Sequence, residues 1–225
     1  MRKLFFVFSF FFGALFLWAQ NADVFNHPLS ARNLQSYNTI CEQLAGRPFT
    51  KGAFEQTKTI KQLNRSLTSK GDFIIAADLG LVWITKSPFP SVTALGKDYI
   101  VQSVPGGTES RIDAKGNETF TNMADILGSL FTGNAQMLGT RFDNFFTETQ
   151  SPSGMVWTLG LIPKEQAIRS YARQFILEGI EGERGALIRS LVIHEQSGDS
   201  VTYLFTEHSF PAELEIHEKA YFSVR

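Results

Sequence analysis

Residues 72–85 read DFIIAADLGLVWIT and carry a clear strand signal. Two runs rich in Ile, Val, Phe and Trp, residues 72–76 and 79–85, predict two strands. Within 73–76 and 81–84 every residue is apolar, so both faces of each strand are apolar. Such a strand is either sandwiched between two layers or borders a space for a ligand, and both alternatives stay open at this point.

The strand signal extends outward from this pair in both directions. It begins at Phe49 and includes 57–63, where the β-branched residues Thr57, Thr59 and Ile60 favour a strand. Further strands are predicted at 92–95, 98–104, 108–113, 139–148, 155–162, 173–180, 186–196, 200–206 and 213–222. Short turns such as Gly106-Gly107 and Gly198-Asp199 separate them, which favours antiparallel neighbours.

Two segments carry the spacing of an amphipathic helix instead. In 30–45, apolar residues recur every three or four positions, Ser30 is a candidate cap, and Gly46 with Pro48 ends the helix. In 119–132 the same spacing gives an apolar stripe that ends at Gly133. A short helical interruption is also predicted at 164–171.

The sequence therefore predicts an α+β fold that is mainly β. About ten or eleven strands would form one curved antiparallel sheet, an incomplete β-barrel, because so large a sheet has to curl. The helices at 30–45 and 119–132 would cover its concave face. A concave apolar sheet under helices is a suitable place for a hydrophobic ligand.

The first residues predict export. Arg2 and Lys3 precede an apolar run over 4–18, and the small residue Ala19 follows, as in a secretory signal peptide. The run is shorter than the roughly 20 residues of a membrane-spanning helix. We expect a signal peptide over 1–19 and a single domain over 20–225. Leu17 is unfavourable at the −3 position, so an uncleaved anchor stays an alternative.

Charge and cysteine content exclude several classes of function. Cleavage would remove two of 21 basic residues against 22 acidic ones, leaving a net charge of about −3. That balance predicts no nucleic-acid partner. Cys41 is the single cysteine, so no internal disulfide forms, and its place on an apolar helix face predicts a buried, unreactive thiol.

The chain carries no recognisable catalytic or metal-binding pattern. Its four histidines, His27, His194, His208 and His217, show no HxH or HExxH spacing, and we expect them to face solvent. No G-x-S-x-G nucleophile elbow occurs. These observations predict a protein that is not an enzyme and that uses no cofactor.

Several motifs occur in the order found in one known family. They are FTKGAFEQ (49–56), KQL (61–63), SKGDF (69–73), GLVWIT (80–85) and Pro88, followed by LFTG (130–133), WTLGLIPK (157–164) and SGDSVT (197–202). Together they resemble the LolA family of periplasmic lipoprotein carriers, and in particular the LolA-like branch associated with glycolipid or acyl-chain export. The resemblance covers nearly the whole chain after the predicted signal peptide.

The resemblance implies a periplasmic carrier, working as a monomer, that shields acyl chains in a cavity and moves its cargo toward the outer membrane. It implies an inner-membrane release complex and an outer-membrane acceptor as partners. One feature departs from the family, whose lipoprotein carriers have a basic residue just before the aromatic strand position. Here 76–78 read Ala-Ala-Asp before Trp83, which leaves lipoprotein and glycolipid cargo as alternatives.

Strand parity and the helix stripe select the residues expected to line the cavity. They are Phe54, Phe73, Ile75, Leu81, Trp83, Ile126, Leu130, Phe131, Trp157 and Leu159. Two other functions stay open: an envelope interaction or sensor domain on the same scaffold, and an enzyme acting on lipid such as an esterase.

Overall fold

The strands form where β-branched and aromatic runs alternate with turn residues, and all eleven join one sheet. The computed structural model describes residues 24–96, 99–113 and 126–223. The predicted signal peptide and residues 119–125 of the second predicted helix lie outside this part of the chain. The strands are β1 (Phe49–Ile60), β2 (Arg65–Ala76), β3 (Gly80–Ser87), β4 (Ser91–Leu95), β5 (Tyr99–Ser103), β6 (Ser110–Asp113), β7 (Phe142–Ser151), β8 (Gly154–Pro163), β9 (Ala172–Gly182), β10 (Gly185–Glu195) and β11 (Ser200–Ser209).

Every neighbouring pair in the sheet is antiparallel, in the order β6-β5-β4-β3-β2-β1-β11-β10-β9-β8-β7. The first and last strands therefore meet in the middle, where Phe54 of β1 lies opposite Phe205 of β11. The sheet is curved and not closed, with β6 and β7 as its edges. The predicted fold class, an incomplete antiparallel barrel with helices, is confirmed.

The helices are α1 (Leu34–Ala45), α2 (the helical residues 126–131), α3 (Ala135–Arg141), α4 (Gln166–Arg169) and α5 (Ile216–Ala220). The chain between the two edge strands contains α2 and α3. Side chains of α1, α2 and α3 form one buried cluster with one face of the sheet. We call this face the inner face and the opposite one the outer face.

The N-terminal segment contacts the edge strand β7 before helix α1 begins. Pro28 forms a bridge to Phe145 of β7, and Leu29 N donates to Asn144 O at 2.8 Å. Phe146 N in turn donates to His27 O at 2.9 Å. These contacts satisfy backbone groups that an open edge strand would leave unpaired.

Several predicted elements are corrected by the structure. The strand predicted at 72–76 begins at Arg65, and residues 61–63 form a turn of 3₁₀ helix after β1. Helix α1 begins at Leu34 and not at residue 30, because Ser30 N donates to the Asn33 side chain at 2.8 Å and the chain turns there. The strand predicted at 139–148 begins only at Phe142. The residues before it form α3, whose N-cap Asn134 accepts a hydrogen bond from Met137 N at 3.0 Å.

The strand predicted at 213–222 is wrong, since the segment contains helix α5. A reciprocal capping box stabilises the start of this helix, in which Glu215 N donates to the Glu218 carboxylate at 2.9 Å. The helix is short, and its apolar residues alternate closely enough to imitate a strand.

Candidate functional site

The ten residues expected to line a cavity come together on the inner face. Nine of them are buried members of one apolar cluster, and half-buried Trp83 packs against it. On the β2–β3 hairpin, Phe73 lies opposite Trp83 and Ile75 lies opposite Leu81. The structure thus brings the ten together; their role in binding a ligand is a proposal.

Aromatic side chains form a continuous belt across the middle of the inner face. The Trp83 ring centroid lies 5.9 Å from Phe54, 5.9 Å from Phe131 and 5.7 Å from Tyr203. Tyr203 stacks on Phe205 with an interplanar angle of 2°. We call these five rings the aromatic belt.

Two members of the aromatic belt were missed by the sequence analysis. Tyr203 and Phe205 stand two residues apart on β11, and Phe205 is directly opposite Phe54. Their spacing carried a signal that they share a face, but it became useful only once β11 was known to pair with β1.

A second part of the inner face is built around Trp157 of β8. The residue opposite it on β9 is Gly179, and a Cβ at that position would collide with the indole and with Leu187 O. The glycine therefore creates the space that lets a tryptophan lie flat on the sheet. Leu159, two residues further along β8, is also buried on this face.

The helices fill the inner face almost completely. One cavity, among Phe73, Phe131 and Phe205, has a free volume of about 20 Å³. A second, among Tyr37, Leu130 and Trp157, has about 10 Å³. Each has room for about one water molecule, whereas a ligand site usually needs about 300–1,000 Å³. Among the described residues, neither cavity has room for an acyl chain, and we call this arrangement the closed state.

A larger space lies on the outer face and does not suit an acyl chain. This groove of about 610 Å³ is open to solvent, between β5 and α5. Glu109 and Lys219 are among its lining residues. The two charged residues and the contact with solvent make this groove less favourable for hydrocarbon than the buried inner face.

Polar contacts fasten α1 to the sheet at both ends. Near its start, Asn33 Nδ2 donates to Phe146 O and Ser36 Oγ to a Glu148 carboxylate oxygen, each at 2.9 Å. Near its end, Ala186 N donates to Gln43 Oε1 at 2.7 Å, and the Arg47 guanidinium donates to Ala186 O.

Helix α2, in contrast, meets the sheet through apolar side chains. The Phe131 ring lies 5.9 Å from Trp83 and 5.3 Å from Phe205, and Leu130 is 1% exposed. These contacts are non-directional, so another apolar group of suitable shape can replace them.

Arg47 and His208 lie at the first cavity, and the sequence analysis assigned no role to either. Arg47 also covers the Phe210 ring at 4.0 Å. His208 contacts the Phe73 ring at 5.9 Å, so the expectation that it faces solvent was wrong. Burial lowers the pKa of His208 and the charges of Arg47 and Arg189 lower it further, although a backbone hydrogen bond at Ile188 opposes this. His208 is therefore neutral at pH 7.

The Cys41 thiol is buried against α2, as predicted. Burial raises its pKa to about 11, so the reactive thiolate is scarce at neutral pH. Burial also raises the pKa of the neighbouring Tyr37 hydroxyl. Within the described ranges, no group of three or more His, Cys, Asp or Glu side chains could hold a metal ion.

The outer face of β2 and β3 carries a second apolar cluster beneath the C-terminal segment. We call it the outer cluster. Its buried members are Ile74, Ala76, Val82, Ala94 and Leu214. Residues 72–85 are therefore covered on both faces, by helices on the inner face and by the C-terminal segment on the outer face.

An ion pair and a hydrogen bond hold this outer cover. Lys51 of β1 pairs with Glu218 of α5, and the Tyr99 hydroxyl donates to Phe222 O at 3.0 Å. Burial alone would raise the pKa of Glu218, but the hydrogen bonds from Lys51 and Glu215 N and the charges of Lys51 and His217 lower it overall.

No helix in the described part of the chain has the length and apolar character needed to cross a membrane. No protein-family model matches the chain, and no curated protein matches it.

Solved structures do match the fold. A DUF1329 family protein from Desulfovibrio piger aligns with a TM-score of 0.52 and 10% identity, covering 84% of this chain and 96% of that one. Lipoprotein LppX from Mycobacterium tuberculosis aligns at 0.48 and 10% identity, covering 83% and 100%. A LolA superfamily protein from Nitrosomonas europaea aligns at 0.41 and 7% identity, covering 82% and 96%.

Identities this low show a shared fold and nothing further. The match with the Desulfovibrio protein extends over most of both chains. The architecture, an open antiparallel sheet with helices on its inner face, is the one that the LolA resemblance implied.

Proposed function

We propose that this chain, with its LolA-like fold, is a periplasmic carrier that shields acyl chains of a lipoprotein or lipid between the inner face and the helices. It would move this cargo toward the outer membrane between a release complex and an acceptor. Binding and hand-over need no covalent chemistry, so the carrier would not be an enzyme.

The observation that supports this function best is the cover of the inner face. The apolar cluster continues from the sheet into Ile126, Leu130 and Phe131 of α2, and these contacts are apolar. An acyl chain offers the same kind of surface. It can therefore replace α2 without leaving the inner face exposed to water.

The closed state makes movement of a helix necessary for binding. Helix α1 is fastened by hydrogen bonds at both of its ends, so we infer that it is the fixed wall. Helix α2 would be the wall that moves. Cargo that binds only the open state shifts the population toward it.

This exchange also explains how a carrier can release its cargo. Burying each methylene of an acyl chain contributes about 0.8 kcal/mol. In the empty protein, α2 covers the aromatic belt and buries apolar surface of the protein itself. This stabilises the empty state and offsets part of the free energy gained on binding cargo. The net affinity is then moderate, as hand-over requires.

The test is native mass spectrometry of the protein purified from the periplasm without detergent, followed by extraction with organic solvent. We expect a mass excess that extracts as acylated species. Its identity separates lipoprotein from glycolipid cargo. A mass without excess that stays unchanged after a diacyl lipopeptide and a phospholipid are offered would contradict the proposal, and a protein partner retained in its place would support an interaction domain.

A further inference from the structure

Three aromatic side chains of the inner face have a buried hydrogen-bond donor without a nitrogen or oxygen partner among the described residues: Tyr37, Trp83 and Trp157. Two of them, Tyr37 and Trp157, line one cavity. Tyr37 is 3% exposed and Trp157 is 1% exposed. Buried polar groups in proteins nearly always have a partner, because an unmade hydrogen bond in a dry environment is costly.

Tyr37 and Trp157 both line the second cavity, where residues of three helices meet the sheet. Helix α1 supplies Tyr37, α2 supplies Leu130 and α3 supplies Leu138. The Tyr37 hydroxyl also lies beside the Cys41 thiol, which is a weak hydrogen-bond partner.

Packing fixes both rings in place. The Tyr37 ring makes an edge contact with Phe146 at 5.9 Å. The Trp157 indole lies over Gly179, where no side chain could be tolerated. The two donors are therefore preorganised.

We propose that Tyr37 and Trp157 recognise the carbonyl oxygen of an acyl ester or amide, so that the site distinguishes an acylated cargo from a free fatty acid or a plain hydrocarbon. This inference rests on the proposed carrier function and names the chemical class of its ligand. A carbonyl oxygen has two lone pairs and can accept both hydrogen bonds.

The electrostatics of the cavity favour a neutral acceptor. The side chains that line it carry no cation: apart from Tyr37, Cys41 and Trp157 they are apolar. A fatty-acid carboxylate would be an unpaired charge there, which is far more costly than a neutral carbonyl. Trp83 Nε1 is also buried without a partner, but it belongs to the aromatic belt and does not line this cavity.

The test is competition with a bound fluorescent reporter, N-phenyl-1-naphthylamine, by three ligands of equal chain length. These are methyl dodecanoate, dodecanoate and dodecane. We expect the methyl ester to bind about 5- to 10-fold more tightly than either other ligand, as two neutral hydrogen bonds allow. The Tyr37→Phe variant, which keeps the ring, should lose most of this advantage, and so should Trp157→Phe.

A matched control separates this role from a general effect of losing a hydroxyl. Tyr171→Phe, at the turn before β9, should keep the full preference for the ester. Because the Tyr37 hydroxyl has no strong partner to lose, Tyr37→Phe should also melt no lower than the wild type.

The possible outcomes distinguish recognition of the carbonyl from the carrier function itself. Equal affinity for ester and dodecane in the wild type, or an unchanged ester preference in the Tyr37→Phe/Trp157→Phe double variant, would overturn the inference while leaving the carrier function standing. Failure of all three ligands to displace the reporter from the wild type would overturn both.

Discussion

Strands β2 and β3 are apolar on both faces, but the two faces are covered in different ways. The outer face lies under the C-terminal segment, which an ion pair between Lys51 and Glu218 and a hydrogen bond from Tyr99 hold in place. The inner face lies under helices. Of these, α2 meets the aromatic belt through apolar side chains.

The difference shows how one sheet can carry a permanent cover and a replaceable one. Polar contacts are directional and specify one partner, so the outer cover is part of the fold. Apolar contacts are proportional to buried area and accept any hydrocarbon of suitable shape. The inner face also holds unpartnered donors that its present cover does not satisfy. In our account, only the inner face exchanges its cover for cargo.

The largest expected effect is the loss of lipid binding on Leu130→Glu or Trp83→Glu. An unpaired carboxylate at the cavity costs about 3 kcal/mol or more, which lowers affinity by at least about 100-fold. The measurement is displacement of a fluorescent acyl probe. Ile216→Glu, at a 90% exposed position on α5, is the control and should bind normally. Unchanged binding in a folded Leu130→Glu/Trp83→Glu double variant would disprove the cavity assignment.

The second-largest effect is expected for a change in the outer cluster, and it concerns stability instead of lipid binding. Leu214→Ala removes a buried side chain from the outer cluster and should lower the free energy of unfolding by about 2–5 kcal/mol. Lipid affinity at a temperature where the variant is folded should stay the same. Urea denaturation and probe binding measure the two quantities. A large fall in affinity would mean that the two covers are coupled and not independent.

A smaller effect is expected at the glycine that seats Trp157. Gly179→Ala places a methyl group against the indole and should destabilise the protein by about 1–3 kcal/mol through overpacking. Gly182→Ala is the matched control, because a Cβ there meets no atom within 4 Å. Equal urea midpoints for the two variants would show that the indole does not depend on Gly179.

The smallest expected effect is a dependence of folding stability on pH. The pKa of His208 is lowered in the folded state, so the unfolded chain binds a proton more readily than the folded one. Stability should therefore be constant above about pH 7.5 and should decrease as the pH falls through 6.5, the ordinary value for histidine. His194 has a lowered pKa as well, mainly through burial, and contributes in the same direction.

Thermal melts of His208→Gln, His194→Gln and the double variant between pH 5 and 8 would measure this dependence. Each single variant should reduce the loss of stability in acid and the double variant should reduce it most. A double variant with the same acid dependence as the wild type would show that other groups are responsible.

The sequence predicted most of the sheet because its signals are local. Alternation and turn residues locate strands such as β3 and β10 to within one or two residues. One failure is the first part of β2, which begins at Arg65 and not at residue 72. The others lie at helix starts that depend on capping. Asn134 and Glu215 cap helices α3 and α5 with their own side chains, and these short helices carry too few turns for a clear period.

The candidate site was predictable only in part, because it depends on contacts between distant segments. Parity predicted that Phe73 shares a face with Ile75 and that Leu81 shares a face with Trp83, and the helix stripe predicted Leu130. The pairing of β1 with β11, which adds Tyr203 and Phe205, is a property of the whole topology. The closed state and the unpartnered donors follow from packing, which no local pattern reports.

We propose that bound cargo displaces α2 while the outer cover stays in place. Distances between spin labels test it directly in the Cys41→Ala background, with one label at Ser153→Cys and the other at Gly128→Cys on α2 or at Glu213→Cys beside the outer cover. A Cβ at Gly128 meets no atom within 4 Å, so the label can be accommodated. When a diacyl lipopeptide is bound, we predict that the 128–153 distance changes by several ångströms while the 213–153 distance does not. Bound cargo with both distances unchanged would contradict the account.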